Sequence, residues 1–384
     1  MRELLQHGRA PLRLTCAITA MLVFAVGGCQ DGAVPTQAVP AVDAPLTAEL
    51  ATTGWEVKLL PQLPDDGNVF GPNRRAEALA ISDQGTIVGY SQRSYFLADS
   101  TAPCEGLSAF VFRKGVIIDP FARLLGTCLW NSVATDVNNH DEVVGWALDA
   151  SGSKLAWKWN AQDGLQLLYA PGYDVIAFAI NDAGTAVGYS EDAISVRPVA
   201  WTAAGYAYLT APGAFLGRAL DINSAGAIVG VVDNVITQWL PNGSIVTGGS
   251  FSYGGRTAPF TIPRPTIGIN DPGTVVFNGY TSAGLVRAFV WGSPSLTPHR
   301  LDAPPRVVGD VSDLQRIVGY SVVPPSPGLA VPYTTKAGTV TPLPIPAGFA
   351  EAWPNGVNRC GQVVGSAKVG TSYRAVTWKQ RGCD

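Results

Sequence analysis

The sequence predicts an all-β chain: a seven-bladed β-propeller of four-stranded antiparallel blades, closed by an N-terminal strand that completes the last blade. Three observations predict it. A phrase built around a turn returns seven times, as ALAISDQGTIVGY (78–90), ATDVNNHDEVVGW (134–146), AFAINDAGTAVGY (177–189), ALDINSAGAIVGV (219–231), TIGINDPGTVVFN (266–278), VGDVSDLQRIVGY (308–320) and WPNGVNRCGQVVG (353–365). Its closing positions, Gly89, Gly145, Gly188, Gly230, Phe277, Gly319 and Gly365, lie between 42 and 56 residues apart, the spacing of a propeller or solenoid array. A second phrase follows each first one and aligns on one aromatic residue: Phe112, Trp159, Trp201, Trp239, Trp291, Tyr333 and Trp378. Finally, 43 glycines and 29 prolines sit among abundant Val, Ile, Tyr and Trp, a composition of many short strands and many turns.

From the N-terminus, residues 1–28 read as a signal peptide. Arg2, Arg9 and Arg13 precede an apolar run from Leu14 to Val26, too short for a comfortable membrane span. The run ends in Val26-Gly27-Gly28-Cys29, which resembles the lipobox of bacterial lipoproteins. That resemblance implies cleavage before Cys29, which carries the lipid and becomes the acylated N-terminus, and Gln30 after it implies sorting to the outer membrane, on its periplasmic or surface side. Residues 29–54, rich in Ala, Pro and Thr, show no strand or helix period and read as a flexible tether. The folded body is then 55–384.

Within each repeat the pattern is strand, turn, strand, loop, strand, turn, strand. The N-D-x-G turn sits between β-branched runs, and a three-residue hairpin loop with a bulge needs φ > 0 at its last position. Glycine holds that place at Gly85, Gly184, Gly226, Gly273 and Gly361; Asp141 tolerates it, and Gln315 departs from the pattern. Most of these turns carry one carboxylate, too few oxygen ligands for a calcium loop. The seven aromatics read as packing between blades. The last repeat stops after AVTWKQRGCD, its third strand, while WEVKLLPQLP (55–64) looks like a fourth strand with no repeat before it. Pairing of 55–64 with 373–380 closes the ring and removes exposed sheet edges.

The two phrases together, A-x-x-I-N-D-x-G-x-V-V-G and A-F-x-W-x-x-G, resemble the HAF family of bacterial extracellular repeats over residues 55–384. Ser108 and Arg287 stand where that family's name-giving histidine would be. The resemblance implies an exported propeller-like protein and supplies no catalytic residues.

Four cysteines remain in the body. In an up-and-down blade Cys104 and Cys128 fall on one face and Cys360 and Cys383 on the other, so the expected disulfides are Cys104–Cys128 and Cys360–Cys383. The formal net charge is −3, and loss of the leader makes the mature chain more acidic, which leaves no nucleic-acid footprint. His140 and His299 match no metal spacing, and there is no nucleophile elbow and no phosphate loop, so neither metal nor cofactor is expected. The long insertions 91–107 and 244–265 share one face and bring Arg93, Tyr95, Phe96, Phe251, Tyr253 and Arg256 as the candidate binding residues. The function this points to is a binding or scaffold module, a monomer, for a protein or glycan partner, touching the membrane only through its lipid. The alternative is a propeller hydrolase or lyase acting on an extracellular polymer through clustered carboxylates at the central channel.

Overall fold

A computed structural model describes residues 54–64, 74–96, 104–121, 131–210, 216–250, 267–280, 286–292, 295–301, 307–323 and 329–380. Strand β1 is Trp55–Leu59. Blade 1 comprises β2 (Ala76–Ile81), β3 (Ile87–Tyr95), β4 (Cys104–Arg113) and β5 (Val116–Ile118). Blade 2 comprises β6 (Ser132–Val137), β7 (Val143–Leu148), β8 (Lys154–Asn160) and β9 (Gly164–Leu167). Blade 3 comprises β10 (Asp174–Ile180), β11 (Ala186–Glu191), β12 (Val196–Thr202) and β13 (Gly205–Tyr208). Blade 4 comprises β14 (Gly217–Ile222), β15 (Ile228–Val232), β16 (Val235–Trp239) and β17 (Ile245–Ser250). Blade 5 comprises β18 (Ile267–Ile269), β19 (Val275–Tyr280), β20 (Val286–Gly292) and β21 (Ser295–Arg300). Blade 6 comprises β22 (Val307–Val311), β23 (Arg316–Val323), β24 (Leu329–Lys336) and β25 (Thr339–Pro342). Blade 7 comprises β26 (Glu351–Val357), β27 (Val363–Val369) and β28 (Ser372–Gln380), with β1 as its fourth strand. Each blade is an antiparallel meander, and each first strand touches the next around the ring until β26 meets β2.

The closure expected at 55–64 is formed over its first part. Trp55 pairs with Gln380 and Leu59 with Val376, and Leu60 N donates to Ala375 O at 2.8 Å. Beyond Leu60 the segment leaves the ladder and turns Leu63 into the core between blades 7 and 1.

Burial follows position in the blade. Second strands are buried along nearly their whole length, as in Val143–Leu148 and Ala186–Glu191, because a neighbouring blade covers each face. Outer strands such as Gly205–Tyr208 are largely exposed. The cores lie between blades. Val88, Ala109 and Val111 of blade 1 pack on Ala134, Val143 and Trp157 of blade 2, and Val144 and Ala156 of blade 2 pack on Ala177, Val199 and Trp201 of blade 3. The aromatic of the second phrase packs as expected at these seams. Its indole also fastens the linker from the preceding blade: Trp201 Nε1 donates to Tyr169 O at 2.9 Å, Trp239 Nε1 to Thr210 O at 2.9 Å, and Trp378 Nε1 to Pro344 O at 2.7 Å.

All seven turns have φ > 0 at the expected position, including Asp141 at 59° and Gln315 at 59°. The glycine that closes the phrase has a different cause. In six blades the first strand bulges, for example between Ala177 and Ala179. The bulge pushes a carbonyl across the second strand. A Cβ at Gly188 would lie 1.8 Å from Ile176 O, and one at Gly89 would lie 2.0 Å from Glu77 O. In blade 5 Ile267 pairs with Phe277 and Gly268 with Val276 in regular register, so the strand has no bulge there and a large side chain fits.

Cys360 is an exposed free thiol at the tip of the β26–β27 turn, so the expected bond to Cys383 is not formed; the turn aims its side chain at solvent. Cys104 is buried and disulfide-bonded, with a partner outside the described residues. Cys128, Cys383 and the leader and tether residues 1–53, Cys29 among them, also lie outside them.

Candidate functional site

The face bearing the N-D-x-G turns is called here the turn face, and the opposite one, bearing the blade-to-blade connections, the link face. The turn phrase does more than reverse the chain. Its first residue is buried in every blade and, where it is Asn, reaches the neighbouring blade. Asn138 Nδ2 donates to Asn181 O at 3.0 Å, Asn181 Nδ2 to Asn223 O at 3.1 Å, Asn223 Nδ2 to Asn270 O at 3.1 Å, Asn270 Nδ2 to Ser312 O at 2.9 Å, and Asn358 Nδ2 to Ser82 O at 3.1 Å. The side chains of Ser82 and Ser312 are one bond too short for this; their hydroxyls accept from Thr86 N and Arg316 N within their own turns. The second residue adds a parallel belt. Its carboxylate or amide accepts the backbone N–H of the preceding blade's turn, as in Asn139 N to Asp182 Oδ1 and Asp271 N to Asp313 Oδ1, both 2.8 Å.

A ring of alternating residues lies just inside this belt, on the first strands: Ala80, Asp136, Ala179, Asp221, Gly268, Asp310 and Gly356. Each aspartate serves two blades. Asp221 Oδ2 accepts from Ile269 N at 2.7 Å and Oδ1 from Ile222 N at 2.8 Å; Asp310 Oδ2 accepts from Val357 N at 3.0 Å and Oδ1 from Val311 N at 2.7 Å; Asp136 Oδ2 accepts from Ile180 N at 2.8 Å. The small residues make room: a Cβ at Gly268 would lie 2.9 Å from Asp310 Oδ1. Seven is odd, so the alternation fails once. Gly356 and Ala80 are neighbours at the closing seam, where Asn355 Nδ2 donates to Ala78 O at 2.7 Å.

These three carboxylates are half-buried on the first strands, with their oxygens turned onto backbone N–H groups of their own and the next blade. Burial, with a smaller contribution from repulsion by Asp310 and Asp182, pushes Asp136 up to about 7. Burial likewise pushes Asp310 up to about 6, beside Asp313, and holds Asp221 well above the usual carboxylate range, with Asp136 and Asp310 adding to it. Groups titrating near neutrality can act as general acids and bases. Phe178, Leu220 and Ile267, each one position before Ala179, Asp221 and Gly268, are buried in one apolar cluster with Leu79 packed against it. Among the described residues no three His, Cys, Asp or Glu side chains are grouped to hold a metal ion.

The residues expected to bind are scattered in role. Arg93 is buried: its guanidinium is ion-paired with Asp119 and donates to Ser108 Oγ at 2.9 Å, within blade 1. It is therefore a structural cation; the segment read as a loop is largely the long β3–β4 hairpin, in which Tyr95 pairs with Cys104. Burial outweighs the attraction of Arg93 and raises the Asp119 carboxyl. Phe96 is exposed. Phe251, Tyr253 and Arg256 lie outside the described residues.

An exposed aromatic cluster occupies the rim between blades 2 and 3 instead. Tyr169 and Tyr206 meet edge to face at 6.1 Å, Tyr206 and Tyr208 at 5.5 Å, and Arg197 lies 4.2 Å over the Tyr208 ring. Tyr169 is 73% exposed, with Tyr173 and Leu167 exposed beside it. The cluster is held in place: Tyr173 Oη donates to Asp192 O at 3.0 Å, Arg197 pairs with Asp192 at 2.8 Å, and Trp201 fixes the Tyr169 carbonyl. The signal was present in LLYAPGY and YAYLT, tyrosines on outer strands and linkers, where a propeller leaves side chains uncovered.

No family model matches the chain, and no curated protein matches it. The likeness to HAF repeats therefore rests on the two phrases alone. Among solved structures, the β-propeller domain of the Trilobed protease from Pyrococcus furiosus is similar at a TM-score of 0.48 and 8% identity, covering 79% of this chain and 96% of that one. A puromycin-hydrolyzing peptidase of Mycobacterium tuberculosis aligns at 0.44 and 12% identity, over 80% of this chain and 60% of that one. A gluconolactonase from Xanthomonas campestris aligns at 0.36 and 12% identity, over 62% and 82%.

Proposed function

We propose that this protein is a binding module, exported and held to the outer membrane by a lipid on Cys29, that presents the blade 2–3 rim to a protein or glycan partner. The tyrosine cluster carries the reading. Tyrosines give large contact area at low entropic cost, and these are already ordered by their neighbours, so little freedom is lost on binding. Arg197 and Asp192 at its edge supply directional hydrogen bonds. The test is a glycan array and an affinity capture from envelope extract, each run with the wild type and with Tyr169→Ala/Tyr206→Ala. Both side chains are exposed, so the variant folds, and it should retain at least about tenfold less of whatever the wild type retains. Equal retention overturns the assignment.

The channel carboxylates favour a second reading, a hydrolase or lyase acting on an extracellular polymer. Against it stand their two-blade backbone hydrogen bonds, which account for all three without a substrate.

A further inference from the structure

The hairpins joining second to third strands return on the link face. At this same point of the repeat, Phe96 of blade 1, Ile194 of blade 3, Val235 of blade 4, Val322 of blade 6 and Val369 of blade 7 are exposed, Ile194 at 85%. Leu216, in the connection from blade 3 to blade 4, is exposed on the same face. The turn face is built differently. Its tips carry Asp83, Asp182, Asp271 and Asp313, with Val116 and Leu314 as exposed apolar exceptions.

In blades 3 and 4 these residues form one ordered ledge. Asp192 Oδ1 accepts from Ile194 N at 3.0 Å and from Ser195 N at 2.9 Å, which fixes the hairpin that lifts Ile194. Val196 bridges to Leu216, and Leu216 O accepts from Asp233 N at 2.9 Å, two residues before Val235. The exposed Tyr173 borders the ledge, its hydroxyl donating to Asp192 O. Contiguous apolar surface left in water marks a protein or membrane contact. The ion pairs Lys154–Asp174, Arg197–Asp192 and Lys368–Glu351 on this face are internal to it.

We propose that the link face rests on a phospholipid bilayer, with Ile194, Leu216 and Val235 entering the acyl boundary and Tyr173 at the level of the headgroups. A bilayer is flat and fluid, so it takes separate tips from several blades at once. A protein partner would need a matching pocket for each, across the breadth of the ring. Tyrosine beside aliphatic side chains is also the pattern of membrane interfaces. This contact is additional to the lipid expected on Cys29. Strand β1 starts at the turn-face end, where Trp55 pairs with Gln380. At about 3.3 Å per residue, residues 30–54 reach several times the roughly 20 Å depth of a blade, so both holds can act on one bilayer. The contact does not depend on what the rim tyrosines Tyr169 and Tyr206 bind.

Flotation with phosphatidylcholine vesicles tests this, using the chain from residue 30, made without leader or lipid. The wild type should float with the vesicles, and about 1 M salt should not release it, because the contact is apolar. Ile194→Ser/Leu216→Ser should lower the partition coefficient at least about tenfold, the scale of two aliphatic side chains. Both side chains are exposed, so the thermal midpoint should not move. Val116→Ser/Leu314→Ser, on the turn face, should float as the wild type does. No flotation, release by salt, or equal loss in the two variants overturns the proposal. So does a concentration-dependent self-association that Ile194→Ser/Leu216→Ser abolishes in the absence of vesicle binding, which would give the face to a second copy of the chain.

Discussion

At the scale of single residues, the repeat is written mostly in steric and hydrogen-bonding constraints. Gly188 faces a carbonyl with no room for a methyl group, so Gly188→Ala must push the bulge apart. We expect a loss of roughly 1–3 kcal/mol or more, read as a lower midpoint in chemical denaturation. The glycine was visible in the sequence; its cause was not, because a bulge is a property of two paired strands. Phe277 shows the dependence from the other side, standing where blade 5 lacks the bulge. The axial aspartates were equally hidden. The column Ala80, Asp136, Ala179, Asp221, Gly268, Asp310, Gly356 is readable only after the blades are superposed, since its meaning lies in a bond to the next blade's backbone. Their titration gives a signed prediction. Carboxyls raised in the folded state to about 7 for Asp136 and about 6 for Asp310 stabilise the fold fully below the unfolded value near 4. That contribution fades as pH rises through 6 and 7, with Asp182 and Asp313 opposing ionisation nearby. The thermal midpoint should therefore fall between pH 5 and pH 8, and Asp136→Asn should flatten that slope; a midpoint that rises over this interval contradicts the assignment.

At the scale of elements, the hairpin turn was predicted as a turn and is also a staple between blades. A single chain gives the spacing of Asn181 and Asp182 but not what lies beside them in the neighbouring blade. Asn181→Ala removes both the acceptor for Thr185 N and the donor to Asn223 O, in a buried place. A cost of about 1–3 kcal/mol is expected by equilibrium unfolding. The reverse change is informative as well. Ser312 lacks reach, and Ser312→Asn should supply the missing bond toward Asn358 and raise stability by about 1 kcal/mol. The strand pattern itself was legible throughout, because β-branched runs, turn glycines and one aromatic per blade are local signals. Loop length misled: residues counted as insertion in 91–107 extend a hairpin, and Arg93 within it pairs with Asp119 beyond β5, a partner the sequence places far away.

At the scale of the whole molecule, seven blades form a ring that the chain fastens with its own first strand. Deleting residues 30–64 removes β1, Leu60 and Leu63 and exposes the free edge of β28, so it should lower the thermal midpoint sharply; deleting 30–52 should leave the midpoint where it is. The ring count and this closure were legible because the repeats could be counted and one strand was left over. The tyrosine rim was not singled out, since exposure depends on which strand is outermost. On the proposed function the axis is structural and the rim functional. Its most direct test compares two variants against the partner or glycan retained by the wild type: Tyr169→Ala/Tyr206→Ala at the rim and Asp136→Asn/Asp310→Asn at the axis. The rim variant should lose at least about tenfold in affinity while the folded axial variant binds as the wild type does. Wild-type affinity in the rim variant with loss in the folded axial variant would contradict it and return the function to the channel.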